Sequence, residues 1–256
     1  MRTSKTLAKI RAGKPVKMCC LGHFVPAYIH HAAHFGYDCI WTDNEHRTMS
    51  EREVQSLLTN FHLADIDCML RPRTTEKTEL YRYLEDGATG LMIPHVSTPE
   101  AAYDLVQSTK FPPVGNRGID NAGIDSDFHL HDADTYVDHI NSETFLVIQI
   151  ETPEGVANAE EIASIEGLDG IFVGPGDLGL RIRRTDTNLT LEEGIATVAN
   201  ACAKHNIAWG MPAANADAVK RLRGQGAQLI AYGGDFGFMM QGLNRCGDEL
   251  AEAYGE

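Results

Sequence analysis

Two carboxylates and an imidazole fall within four residues in Asp43-Asn44-Glu45-His46, directly after the apolar run Asp38–Thr42. An imidazole titrates near neutral pH, so His46 can move protons, and neighbouring carboxylates can tune it or bind a cation. A solvated loop would explain one such cluster. It would not explain the polar groups that follow other apolar runs: Arg71-Pro72-Arg73, Pro94-His95, Gln149 and Glu151, Pro175-Gly176-Asp177, and Gly233-Gly234-Asp235.

Glu151 and Asp177 close consecutive runs. Carboxylates facing one space repel each other unless a cation lies between them, and hard divalent ions such as Mg²⁺ or Mn²⁺ favour such oxygen ligands. The alternative is structural, with Glu151 paired to an arginine and Asp177 capping a helix. Arg71 continues an apolar run, and a buried arginine must be paired. Its planar fork suits a substrate carboxylate; a salt bridge to Glu45 or Glu151 would satisfy it equally. Gln149 points the same way as Glu151, two residues on. The glycine-rich turn 174–179 (GPGDLG) opens a short helix whose first amides would attract a carboxylate or phosphate.

These groups need a scaffold that gathers strand ends. Eight strand-length apolar runs occur: Val16–Leu21, Asp38–Thr42, Ile66–Leu70, Gly90–Ile93, Phe145–Ile150, Gly170–Val173, Ile207–Met211 and Gln228–Ala231. Most are continuous, the mark of strands covered on both faces. Helical segments alternate with them: Pro26–Phe35, Ser50–Phe61 with a capping box from Ser50 to Glu53, Thr75–Asp86, Thr98–Thr109, Thr152–Ile165, Thr190–His205, Asn215–Gly224 and a final short Asp248–Tyr254. Such alternation predicts a parallel sheet, and eight units in 256 residues predict closure into a single-domain (β/α)8 TIM barrel spanning 1–256. An open doubly wound sheet would want G-x-G-x-x-G, which is absent. The polar stretch 111–141 reads as an extended active-site loop with a helix in its second part.

The net charge of −14 argues against nucleic acid as a partner, and no apolar run is long enough to span a bilayer. Six cysteines without a C-x-x-C pair read as reduced thiols of a cytoplasmic protein. DFG at 235–237 lacks the other kinase elements, and His30, His31 and His34 read as a helix surface.

In order and spacing, DNEH (43–46), LRP (70–72), LEDGATGLMIP (84–94), FPPVGNRG (111–118), IQIET (148–152) and GIFVGPGDL (170–178) resemble the HpcH/HpaI aldolases, metal-dependent pyruvate aldolases, from about Lys5 to Gly242. The resemblance implies Glu151 and Asp177 as ligands of a divalent cation (Mg²⁺, Mn²⁺ or Co²⁺). It implies His46 as acid/base in a dyad with Asp86, and Arg71 on the substrate's keto oxygen. Gln149 would line the site, amides near Gly176 and Asp177 would hold the carboxylate, and Asp43 and Glu45 would support. It further implies reversible cleavage of a 4-hydroxy-2-oxo acid to pyruvate or hydroxypyruvate plus an aldehyde, in a homo-oligomer (trimer or hexamer) that exchanges its C-terminal helix. The sequence departs from the family pattern at Asn44, at Arg47-Thr48 and after Asp177, changes that bear on the acceptor aldehyde.

Three rival readings make different demands. A Schiff-base aldolase needs a desolvated lysine at a strand end, and only Lys17 lies in a predicted strand. A citrate-lyase-β-like enzyme needs a basic groove for CoA. A non-catalytic keto-acid or metal binder would not need His46.

Overall fold

A computed structural model describes residues 1–255. Eight parallel strands close in sequence order into a barrel. They are β1 (Val16–Leu21), β2 (Cys39–Asp43), β3 (Asp67–Arg71), β4 (Gly90–Ile93), β5 (Phe145–Ile150), β6 (Gly170–Val173), β7 (Ala208–Ala213) and β8 (Leu229–Gly234). The expected (β/α)8 architecture is the one observed. Alternate residues of each strand face opposite ways. Met18, Cys39, Met69, Met92, Val147 and Phe172 fill the barrel interior. Cys19, Ile40, Leu70, Ile148 and Ile171 pack outward against the helices. Two buried faces explain why the strands read as unbroken apolar runs.

The helices are α1 (Lys5–Arg11), α2 (Pro26–His34), α3 (Glu51–Ala64), α4 (Lys77–Glu85), α5 (Pro99–Thr109), α6 (Ala133–Glu143), α7 (Pro153–Ala157), α8 (Ala159–Ala163), α9 (Pro175–Arg184), α10 (Leu191–His205), α11 (Ala216–Gly224) and α12 (Asp235–Tyr254). The Ser50–Glu53 capping box forms as predicted. None of the described helices is long and apolar enough to cross a membrane.

Four features depart from the sequence reading. Helix α1 was not anticipated. It plugs the amino end of the barrel with Leu7, and the Asp67 carboxylate accepts from Ser4 Oγ (2.8 Å) and the Thr6 amide (2.7 Å). The expected helix 152–165 breaks into α7 and α8 at Asn158, whose side-chain amide donates to the Ser97 carbonyl (2.8 Å). The stretch 111–141 does contain a helix, α6, but joins the end of α5 to the start of β5. It therefore lies at the strands' amino pole and is not an active-site loop. There Arg117 pairs with Asp125 and the His139 ring contacts the Arg2 carbonyl. The last helix begins at Asp235 and runs 20 residues, none of them buried.

Candidate active site

The polar layer sits one step above the apolar filling. Asp43 follows Trp41 by two residues, Arg71 follows Met69, Gln149 follows Val147 and Gly174 follows Phe172. The period of two thus turns these side chains toward the barrel mouth.

Asp43 and Arg71 stand opposite each other in the β2–β3 register. Arg71 Nε donates to Asp43 Oδ1 (3.0 Å), and Nη2 lies 2.9 Å from Oδ2, giving a forked pair. The guanidinium lies over the Trp41 ring, 4.7 Å from its centroid. Its other edge reaches Glu45 Oε2 (3.0 Å) and Gln149 Oε1 (3.4 Å). The Glu45 approach is a charge contact and not an aligned hydrogen bond, since that oxygen has no hydrogen-bond partner among the described residues. Burial pushes the Asp43 carboxyl up, but the bonds and charge of Arg71 outweigh it and hold the group below the usual carboxylate range. The amides of Glu45 (3.1 Å) and His46 (3.4 Å) donate to the same carboxylate, so Asp43 also shapes the loop that carries His46.

From Gln149 the network continues around the mouth. Its amide donates to Glu151 Oε1 (2.8 Å). The other oxygen of Glu151 lies 3.0 Å from His95 Nδ1 and accepts from the His95 amide (3.2 Å), while His95 Nε2 is 3.0 Å from Glu45 Oε1. Arg71, Gln149, Glu151, His95 and Glu45 therefore form a closed circuit across β3, β5 and the ends of β2 and β4. His95 takes part from a left-handed backbone conformation (φ 57°), which disfavours a residue with a side chain. Sequence reasoning placed His95 at a strand end but gave it no role; its position directly after Pro94 was the only signal.

The Glu151 carboxyl is raised, chiefly by burial; His95 opposes this, and the carboxylates of Asp177 and Glu45 add to it. A cation would relieve that crowding. Among the described residues no three His, Cys, Asp or Glu side chains converge on one point. A set of two carboxylates would leave the remaining positions of such an ion to water and substrate. Gly174 is shaped to this carboxylate: a Cβ there would lie 2.3 Å from Glu151 Oε1. Asp177, in the first turn of α9, is turned partly outward. Its Oδ1 is 3.0 Å from Arg181 Nη1, which also donates to the Glu151 carbonyl (3.2 Å). The amides of Gly176 and Asp177 belong to the same first turn, where a helix leaves its N–H groups unpaired.

His46 projects from the rim, its side chain 55% exposed, with Nε2 3.6 Å from Glu45 Oε2. The expected dyad with Asp86 is not formed within the chain. Asp86 caps the end of α4 that leads into β4, and both of its oxygens accept from Gln55 of α3 (3.1 and 3.0 Å). His46 stands at the carboxyl end of β2, and no hydrogen bond among the described residues joins the two. As for a Schiff base, Lys17 is exposed, and the buried Lys110 points at the Thr144 carbonyl and Asp169 near the starts of β5 and β6.

The description "HpcH/HpaI aldolase/citrate lyase" matches residues 17–241 of the chain. Hydroxypyruvate/pyruvate aldolase from Sagittula stellata is 36% identical over 143 residues, which span 56% of each chain. The protein of that name from Deinococcus radiodurans is 28% identical over 232 residues, 88% of this chain and 82% of the relative. The crystal structure of the HpcH/HpaI aldolase from Desulfitobacterium hafniense DCB-2 superposes with a TM-score of 0.89 at 26% identity, over 96% of both chains.

Proposed function

Since the chain belongs to the HpcH/HpaI aldolase/citrate lyase family, we propose that it is a divalent-metal-dependent aldolase cleaving 4-hydroxy-2-oxo acids to pyruvate or hydroxypyruvate and an aldehyde. The observation that carries this is the mouth circuit, in which Arg71, the carboxylates of Glu45 and Glu151, Gln149 and His95 are joined at the carboxyl ends of the strands.

Glu151 and Asp177 would hold the cation, Asp177 by leaving Arg181. When bound, the cation supplies positive charge where the enolate oxygen develops. Arg71, locked by Asp43 and stacked on Trp41, presents Nη1 toward the same oxygen. Gln149 orients both Arg71 and Glu151. The amides of Gly176 and Asp177 receive the substrate carboxylate, aided by the positive end of α9. His46, exposed on the loop that Asp43 shapes, transfers the proton between solvent and the substrate's C3. The test is pyruvate release from 4-hydroxy-2-oxo acids before and after EDTA treatment. Activity that disappears and returns with Mn²⁺, Co²⁺ or Mg²⁺ supports the reading; full activity in stripped protein rejects the metal.

The oligomer belongs to the same proposal. Between β1, α2 and α11 runs a groove of about 410 Å³ lined by Phe35, Tyr37, Val219, Ile230 and Tyr232. Helix α12, which follows β8, exposes Met239, Met240, Leu243 and Leu250. A second copy's α12 seated in that groove would cover both surfaces.

A further inference from the structure

Across the mouth from Glu151 stands a second histidine–carboxylate pair that the mechanism above does not use. Asp235 opens α12 at the end of β8. Its Oδ1 accepts from the Gly22 amide (3.1 Å), and its Oδ2 accepts from the His23 amide (3.0 Å) and lies 2.7 Å from His23 Nδ1. The carboxylate side chain is 12% exposed and the imidazole 52%. Three donors thus fix a nearly buried carboxylate, and that carboxylate fixes the ring. With the proton held on Nδ1, Nε2 is the free acceptor. It has no partner among the described residues, and the Phe236 ring lies beside it, centroids 6.3 Å apart.

The pair borders the reaction site. Cys20 of β1, paired with Gly234 of β8, stands between the two centres: burial, then the carboxylates of Asp43 and Asp235, push its thiol up to about 12. Gly22 meets the His46 loop, since a Cβ there would lie 3.0 Å from Arg47 Nε, and Arg47 donates to the His46 carbonyl (2.9 Å). His23 and His46 therefore stand on adjacent loops at the carboxyl ends of β1 and β2. A carboxylate serving only to tie down the β1–α2 loop would need the two amides and not the imidazole.

We propose that His23, oriented by Asp235, is a second proton-transfer residue of the site, acting on the 4-hydroxyl of the cleavage substrate. The inference rests on the aldolase reading. In cleavage, the hydroxyl proton passes to His23 Nε2 and the oxygen forms the aldehyde C=O. The C3–C4 bond breaks, and its electron pair becomes the enolate held at Arg71. That enolate then takes a proton at C3 from His46, and both imidazoles reset through solvent. In condensation His23 returns its proton to the aldehyde oxygen. His46 serves the 2-oxo acid half and His23 the aldehyde half.

The two halves can be read separately on the full chain with Mn²⁺. Exchange of the pyruvate methyl protons with D₂O, followed by NMR without aldehyde, reports enolisation; pyruvate release from 4-hydroxy-2-oxoglutarate reports cleavage. In His23→Gln the ratio of cleavage to exchange is expected to fall about 100-fold, the scale of one positioned acid/base. Asp235→Asn, which keeps an acceptor for the Gly22 amide, should lower the same ratio by about tenfold, giving a second reading should His23→Gln fold poorly. A ratio within about threefold of wild type in both variants, or equal losses in both reactions, would overturn the role of His23. Wild-type protein that neither exchanges nor cleaves would instead overturn the aldolase reading itself.

Discussion

Asp43 and Arg71 face each other in register across β2 and β3, and their forked ion pair lies buried beneath the barrel mouth. The pair neutralises two charges that neither strand could bury alone, and it leaves the guanidinium's other edge to Glu45 and Gln149. Because the Asp43 carboxyl is held below its usual range, its contribution to stability is complete above the ordinary carboxylate pKa. It is lost as pH falls through the lowered value. Asp43→Asn should cost roughly 3 kcal/mol at pH 7, since Arg71 keeps only Glu45 and Gln149. That difference should shrink below about pH 4. Urea unfolding of both proteins across this range checks it; a difference independent of pH would show that the Asp43 charge is not what the fold uses.

Gly174 offers a way to move Glu151 without changing it. The glycine has φ −91°, which alanine adopts without strain, yet a Cβ would lie 2.3 Å from Glu151 Oε1 and 2.8 Å from Gln149 Nε2. Gly174→Ala should therefore leave the barrel folded while displacing the carboxylate. Mn²⁺ affinity is expected to fall roughly 10–100-fold, the range seen when a ligand's orientation is disturbed. Calorimetric titration of Mn²⁺ measures it, and unchanged affinity would remove Glu151 from the cation site.

His95 pairs with both Glu151 and Glu45 from a left-handed backbone (φ 57°), a conformation that costs about 1 kcal/mol or more for a residue with a Cβ. His95→Gly relieves that cost but opens the circuit. Thermal unfolding should change little, while kcat/KM for cleavage falls about tenfold or more as Glu45 and Glu151 lose their bridge. A large drop in Tm with unaltered kcat/KM would make the imidazole a purely structural clamp.

Strand order and the rim that gathers polar groups were legible because each is written locally. Continuous apolar runs mark strands with two buried faces, and Asp43, Arg71, Gln149 and Glu151 each follow an inward residue by two. Pairing among those groups was legible only in part. A salt bridge from Arg71 to Glu45 or Glu151 was one of two readings, and Arg71 does reach Glu45 (3.0 Å); its forked partner Asp43 was not foreseen, because register across two strands is set by the whole sheet and not by either run. The dyad of His46 with Asp86 is not formed within the chain for a related reason: spacing along the chain does not say at which pole of the barrel a helix end lies. The same blindness put 111–141 at the active site when the α5–β5 connection belongs to the other pole. Asn158 breaking a helix and Leu7 plugging the barrel depend on contacts with residues distant in sequence, Ser97 and the inner strands, and neither carries a local mark.

The twenty-residue α12 is the element whose own chain leaves it least satisfied. None of its residues is buried, and Met239, Met240, Leu243 and Leu250 are exposed on a helix that follows β8 without covering the neighbouring groove. Apolar surface of this kind costs free energy in water, and each such side chain recovers about 1.5–3 kcal/mol when fully covered. If a second copy supplies that cover, Leu243→Asp places a charge in the contact and should weaken association by at least about 1.5 kcal/mol, roughly tenfold in Kd. Light scattering behind size exclusion should then show wild-type protein as an oligomer and the variant shifting to smaller species on dilution, with circular dichroism unchanged. Wild-type protein that stays monomeric at micromolar concentration would leave α12 free of any partner copy and send the search for its cover to another molecule.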